Sequence, residues 1–154
     1  MAEVTVIELK FDTSAKGGAT LGDIAVSLVS VDELLRDLAT IAAYPSSAEF
    51  REIQVAAMTM RSPMQVTLSL LAIPGEAVNA FQDICREIIV FRERRSGQTA
   101  NAEHQAAIDA ALARCASQSG NVRITEQESQ RIYGHIATLQ EAEVPLKAVV
   151  VKEK

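Results

Sequence analysis

The sequence predicts an α+β fold, on three observations. Apolar and polar residues alternate over 4–11 and 64–70, the period of strands buried on one face. Apolar residues recur every three or four positions over 21–43, in the 77–91 stretch and again to about 142, the period of amphipathic helices. Proline, glycine and serine clusters punctuate the chain between these runs.

Residues 4–11 (VTVIELKF) set Ile7, Leu9 and Phe11 on one face and Glu8 and Lys10 on the other. A loop of turn residues runs from Asp12 to Ala19. Thr20, with Asp23 three residues on, resembles a capping box with Asp in place of Glu. Ile24, Leu28, Val31, Leu35, Leu38 and Ala42 then mark one face of a helix over 21–43, and Asp32, Glu33, Arg36 and Asp37 its outer face. Pro45 ends it, with Pro45-Ser46-Ser47 as the turn. Residues 51–60 read as a strand without one clean phase, whereas Met64, Val66, Leu68 and Leu70 alternate clearly with Gln65, Thr67 and Ser69. The short Arg61-Ser62-Pro63 connection makes the two an antiparallel hairpin.

Pro74-Gly75-Glu76 opens the next helix, whose stripe is Ala77, Phe81, Ile84, Ile88 and Phe91 with Cys85 beside it. Arg86, Arg92, Arg94 and Arg95 gather toward its end, which suits the negative end of the helix dipole. Residues 92–105 carry no large apolar side chain, so they form a loop around Ser96-Gly97 or a helix reaching into solvent. Ile108, Leu112 and Cys115 resume a thin stripe among alanines, and Gly120 reads as its C-terminal cap. Thr125-Glu126-Gln127-Glu128 is a full capping box, and Ile132, Ile136 and Leu139 carry a helix to about Ala142. Gly134 within it reads as a place of close packing. Leu146 to Val151 is β-branched and strand-like. If that strand rejoins the sheet, the chain is a two-layer sandwich. Its four-stranded, mainly antiparallel sheet has ferredoxin-like βαββαβ order, with a helical insertion before the last strand. Residues 1–154 are then one domain, with a helical insertion or appendage at about 96–142.

Composition excludes several function classes. A length of 154 residues suits one core, and 48% hydrophobic residues are too many for a disordered chain. Four Phe, two Tyr and no Trp argue against base-stacking platforms and aromatic sugar clefts. Net charge is −5: residues 1–77 hold five basic and ten acidic side chains, and 78–154 hold ten of each. Without a basic stripe, no nucleic acid is expected as a partner. The start Met1-Ala2-Glu3-Val4 has no basic n-region. The longest uncharged run, Ser62 to Gly75, has fourteen residues, short of the ~20 a membrane helix needs. A cytoplasmic protein without membrane contact is expected.

The chemistry-bearing residues are few. Cys85 and Cys115 make no CxxC and read as small core residues, with a bridge between helices or a catalytic thiol as alternatives. His104 and His135 lack paired-ligand spacing, so no metal and no cofactor are expected. His104 reads as a solvated helix residue and His135 as a partly buried one. Lys16-Gly17-Gly18-Ala19-Thr20 lies between a strand and a helix N-terminus, where backbone N–H groups can hold an anion. It matches no phosphate-loop pattern, which favours a plain linker, with Lys16, Gly17, Gly18 and Thr20 as a candidate ligand loop in the alternative. Asp32-Glu33 with Asp37, and Glu126 with Glu128, take ordinary structural places on helix faces and starts.

Residues 53–95 run from a strand through Arg61-Ser62-Pro63 to an alternating strand, then to an apolar helix ending in Arg92-Glu93-Arg94-Arg95. This stretch resembles a group of small bacterial proteins built as strand, Ser-Pro, apolar strand, helix and charged tail. The resemblance implies an accessory, effector-associated module of a bacterial conflict system and brings no catalytic residue. Asp83, Arg86 and Glu87 make this helix more polar than a membrane-seeking version.

The expected function is a non-enzymatic protein-interaction or oligomerisation module that binds a protein partner or itself, forming a homo-oligomer. Its expected contacts are Arg86, Arg92, Arg94 and Arg95, for a protein partner or an anion, and the outer side of the two late helices. The alternative is a small-ligand or enzymatic ferredoxin-like domain, with a site near residues 16–20 or around Arg61 and Ser62. A nucleic-acid contact through the arginines is the third reading.

Overall fold

Ile7, Leu9 and Phe11 are wholly buried while Glu8 and Lys10 are not, as the alternation of β1 (Val4–Phe11) dictates. The computed structural model describes residues 4–13, 20–43, 52–59, 63–71, 73–94, 98–117 and 126–153. β1 is followed by α1 (Leu21–Ala43), β2 (Glu52–Thr59), β3 (Met64–Leu71), α2 (Gly75–Arg94), α3 (Gln98–Ser117), α4 (Glu126–Glu141) and β4 (Leu146–Glu153). The protein is thus α+β, with four strands in the order β2-β3-β1-β4 and every neighbouring pair antiparallel. β1 pairs with β3 from Val4↔Leu71 to Phe11↔Met64, so the buried rows of both strands fall on one face. Lys16, Gly17, Gly18, the Pro45 turn, Arg61, Ser62, Arg95, Gly120 and Thr125 lie outside the described residues.

β2 lacks a clean phase for a physical reason. Its register with β3 steps from Val55↔Leu68 to Ala57↔Thr67, which leaves Ala56 as the extra residue of a β-bulge. The helix-facing side chains are therefore Ile53 and Val55 before the bulge and Met58 after it, in register with Leu70, Leu68 and Val66.

Thr20 caps α1 as its sequence predicts: the Asp23 N–H donates to Thr20 Oγ1 at 3.1 Å. The buried side of α1 is wider than one stripe. It includes Ser27, Ser30, Leu34 and Ile41 beside Ile24, Val31, Leu35 and Leu38. The reason is that α4 packs against α1 and α2, and α3 packs against α2 and more lightly on α1. Ser27 Oγ donates to the Val144 carbonyl at 2.8 Å, tying α1 to the approach to β4.

Whether α3 and α4 pack back or project is settled by burial. Ile108, Leu112, Cys115, Ile132, Ile136 and Leu139 all belong to the same core as the sheet and α1. Gly134 corrects an expectation: a Cβ there would meet nothing within 4 Å, so no close approach requires the glycine. Among the described residues no helix is long and apolar enough to cross a membrane.

Candidate functional site

The arginine group separates in the fold. Arg92 turns inward, and its guanidinium donates to the carbonyls of Leu139, at 3.3 Å, and Gln140. Those carbonyls belong to the last turn of α4, where helical carbonyls lack intrahelical partners. Arg92 thus caps a neighbouring helix, where the sequence reading assigned it to its own helix end or to a partner. Arg86 stays exposed on α2. Arg94 belongs to the last turn of α2, and its side chain is outside the description.

His104 corrects a second expectation. It is 6% exposed, not solvated. Its ring stacks on Phe91 with centroids 4.2 Å apart, and its Nδ1 lies 3.2 Å from Glu87 Oε1. The Gln140 side-chain amide contacts Nε2, which suits the tautomer carrying its proton on Nδ1. A polar ring enters the packing between α2, α3 and α4 because each of its nitrogens has a partner. A signal for this exists in the sequence: His104 stands four residues before Ile108, on the stripe that continues to Leu112 and Cys115. The surrounding polar residues mask it.

His135 lies between α4 and α1. Its Nε2 is 3.1 Å from Asp37 Oδ2, and its Nδ1 is 3.3 Å from Glu33 Oε2. Arg131 joins the same carboxylate of Asp37 at 3.6 Å. Tyr133 donates its hydroxyl hydrogen bond to Asp109, linking α4 to α3. These groups fasten helices together. A general base needs a nitrogen within reach of a substrate proton, and both histidines have both nitrogens engaged. Cys85 and Cys115 are buried free thiols. Burial, with a smaller contribution from Glu76, pushes the Cys115 thiol up to about 11, and burial alone pushes Cys85 well above the ordinary thiol range. A protonated thiol is a poor nucleophile. Among the described residues no group of three or more His, Cys, Asp or Glu could hold a metal ion.

One groove of about 310 Å³ lies between α2 and α3, lined by Glu76, Asn79, Gln82, Asp83 and Arg114 with two alanines. Arg114 pairs with Asp83 across it at 3.0 Å. Of the candidate ligand loop, Thr20 is described, and its hydroxyl is occupied as the cap of α1.

The sheet side differs in character. On the face away from the helices, Glu8 is paired with Lys152 at 2.5 Å and accepts from the Gln65 amide. The Lys152 ammonium holds the Glu8 carboxyl below its ordinary range, ahead of the opposing effect of burial. At one edge, β2 is exposed from Gln54 to Thr59. Val55 is 59% and Met58 40% exposed although they sit on the helix-facing side, where Val66 and Leu68 are buried. The helices stop short of this strand. The sheet order puts β2 at this edge, with β3 as its one strand neighbour.

Comparison with protein-family models, curated proteins and solved structures finds no match. The class of the protein therefore rests on its own architecture: an α+β protein with a four-stranded antiparallel sheet and four helices.

Proposed function

We propose that this protein is a non-enzymatic protein-interaction module that binds an extended partner segment at the β2 edge of its sheet. The observation that carries the reading is the β2 edge itself. Residues 53–59 contain no charge and no proline, and Gln54 to Thr59 are exposed. Such an edge offers a row of backbone donors and acceptors to an added strand. Both histidines and both thiols are meanwhile occupied or buried within the fold, which supports a binding role over a chemical one. The strand order and antiparallel pairings support ferredoxin-like layering of the sheet with α1 and α2. The resemblance of residues 53–95 to conflict-system accessory proteins supports a cytoplasmic accessory role in bacterial defence or signalling.

The test is a photo-reactive amino acid placed at Met58, at Arg86 or at Lys152, and irradiated in cells that naturally make the protein. A cross-linked product from position 58 is expected. Products from position 86 with none from 58 would move the surface to α2 and end this reading.

A further inference from the structure

The two sheet edges are built differently. β4 carries exposed Lys147 and Lys152, charges of the kind that guard an edge against pairing. β2 carries one charge, Glu52, at its first residue, and then seven uncharged residues. Over those seven residues its guard is the bulge at Ala56. A bulge ordinarily disfavours edge pairing by twisting the strand. Here it also changes which residues share a face, and that change makes the strand complementary to itself.

Resting on the edge-binding reading above, we propose that the partner is a second copy of this chain. The two β2 strands pair antiparallel about a two-fold axis between Ala56 and Ala57, joining two four-stranded sheets into one of eight strands. Residues directly opposite in an antiparallel pair lie on the same face. An unbulged strand could not set residue 55 opposite residue 58, because three positions apart they would face opposite sides. With the bulge both face the helices, in register with Leu68 and Val66. The register that sets Val55 against Met58 of the other copy sets Gln54 against Thr59, both on the open face. Each half-exposed apolar side chain thus meets an apolar one, and a polar one meets a polar one. On the axis stand Ala56 and Ala57, whose methyl groups let the two bulges approach. Antiparallel pairing also places the two Glu52 carboxylates at opposite ends, about 30 Å apart at the rise of a strand, whereas parallel pairing would set them side by side. A two-fold interface of this kind closes after two chains and leaves no further free β2 edge.

Light scattering at tens of micromolar is expected to give the mass of two chains for the wild type. Val55→Lys, at a position more than half exposed, is expected to give one chain with an unchanged circular dichroism spectrum. Lys152→Glu on β4 is expected to remain a dimer. Register is read by oxidation. Opposite residues have Cβ atoms about 4.5–5.5 Å apart, at the edge of disulfide reach. A mixture of Val55→Cys and Met58→Cys proteins should therefore cross-link on the order of ten times faster than either protein alone. The native thiols are buried and do not compete. A wild type that stays at one chain, a Val55→Lys protein that stays at two, or equal cross-linking of the single variants overturns the proposal. The outcomes separate from those of the preceding test. A product from position 58 with another protein's mass keeps the edge-binding reading and removes self-pairing. Absence of any product from 58 removes both.

Discussion

Gly134 sits on the exposed face of α4, where an added methyl group meets open space. Alanine is the better helix former there by about 1 kcal/mol. Gly134→Ala is expected to raise the unfolding free energy by up to about that amount in urea titration; an unchanged or lowered value would mean the glycine serves a contact. The thiols behave in the opposite sense as pH rises. An unfolded cysteine ionises near pH 8.5, while the folded protein holds Cys115 protonated to about 11. The stabilising difference is fully present below the unfolded value. It is lost as pH rises through this window, because the unfolded chain releases a proton that the folded one keeps. The stability advantage of wild type over Cys115→Ala is therefore expected to shrink between about pH 8.5 and about pH 11. A constant gap would contradict the buried thiol. Thiol burial was readable in the sequence, since both cysteines fall on apolar stripes. Burial of His104 was hidden by its polar neighbours.

Among the elements, α4 depends on a residue two helices earlier. Arg92 supplies hydrogen bonds to the carbonyls of its last turn, and a charged donor to such a group contributes about 1.5–3 kcal/mol. Arg92→Ala is expected to cost about that much. It should also speed amide exchange at the C-terminal end of α4 more than at its N-terminal end. Uniform acceleration along α4 would indicate a global effect rather than a lost cap. A sequence reading can match an arginine to the end of its own helix, because that relation is local. It cannot show another helix's carbonyls arriving at the same place. β2 makes the same point: its strand character was legible, but its bulge depends on the register with β3.

For the molecule as a whole, the late helices belong to the one core. Ile108 and Ile136 are buried to 1% and 2% exposure in the cluster that also holds Leu34 and Phe81. Removing such a side chain costs about 2–5 kcal/mol. Ile136→Ala is expected to lower stability by that amount while the protein still unfolds in one transition, followed together by circular dichroism and by thiol exposure at Cys85. Two separate transitions, with the sheet surviving the first, would instead make α3 and α4 an appendage. The apolar stripe of α3 is thin because part of its buried face is alanine. Ala111 and Ala116 are buried and bring α3 close to its neighbours.

Periodicity alone was enough for the element order, the α+β class, the α1 cap and the strand faces of β1 and β3, because each follows from contacts within a few residues. The choice of which strand lies at which edge, the bulge in β2, the burial of His104 and the use of Arg92 required the folded chain. Each joins groups far apart in sequence, such as Arg92 with Gln140 and His104 with Glu87, whose meeting leaves no local pattern. The low aromatic content and the lack of a basic stripe argue against base-stacking and nucleic-acid surfaces. The location of the surface left over, an uncharged edge beyond the cover of the helices, was decided by packing.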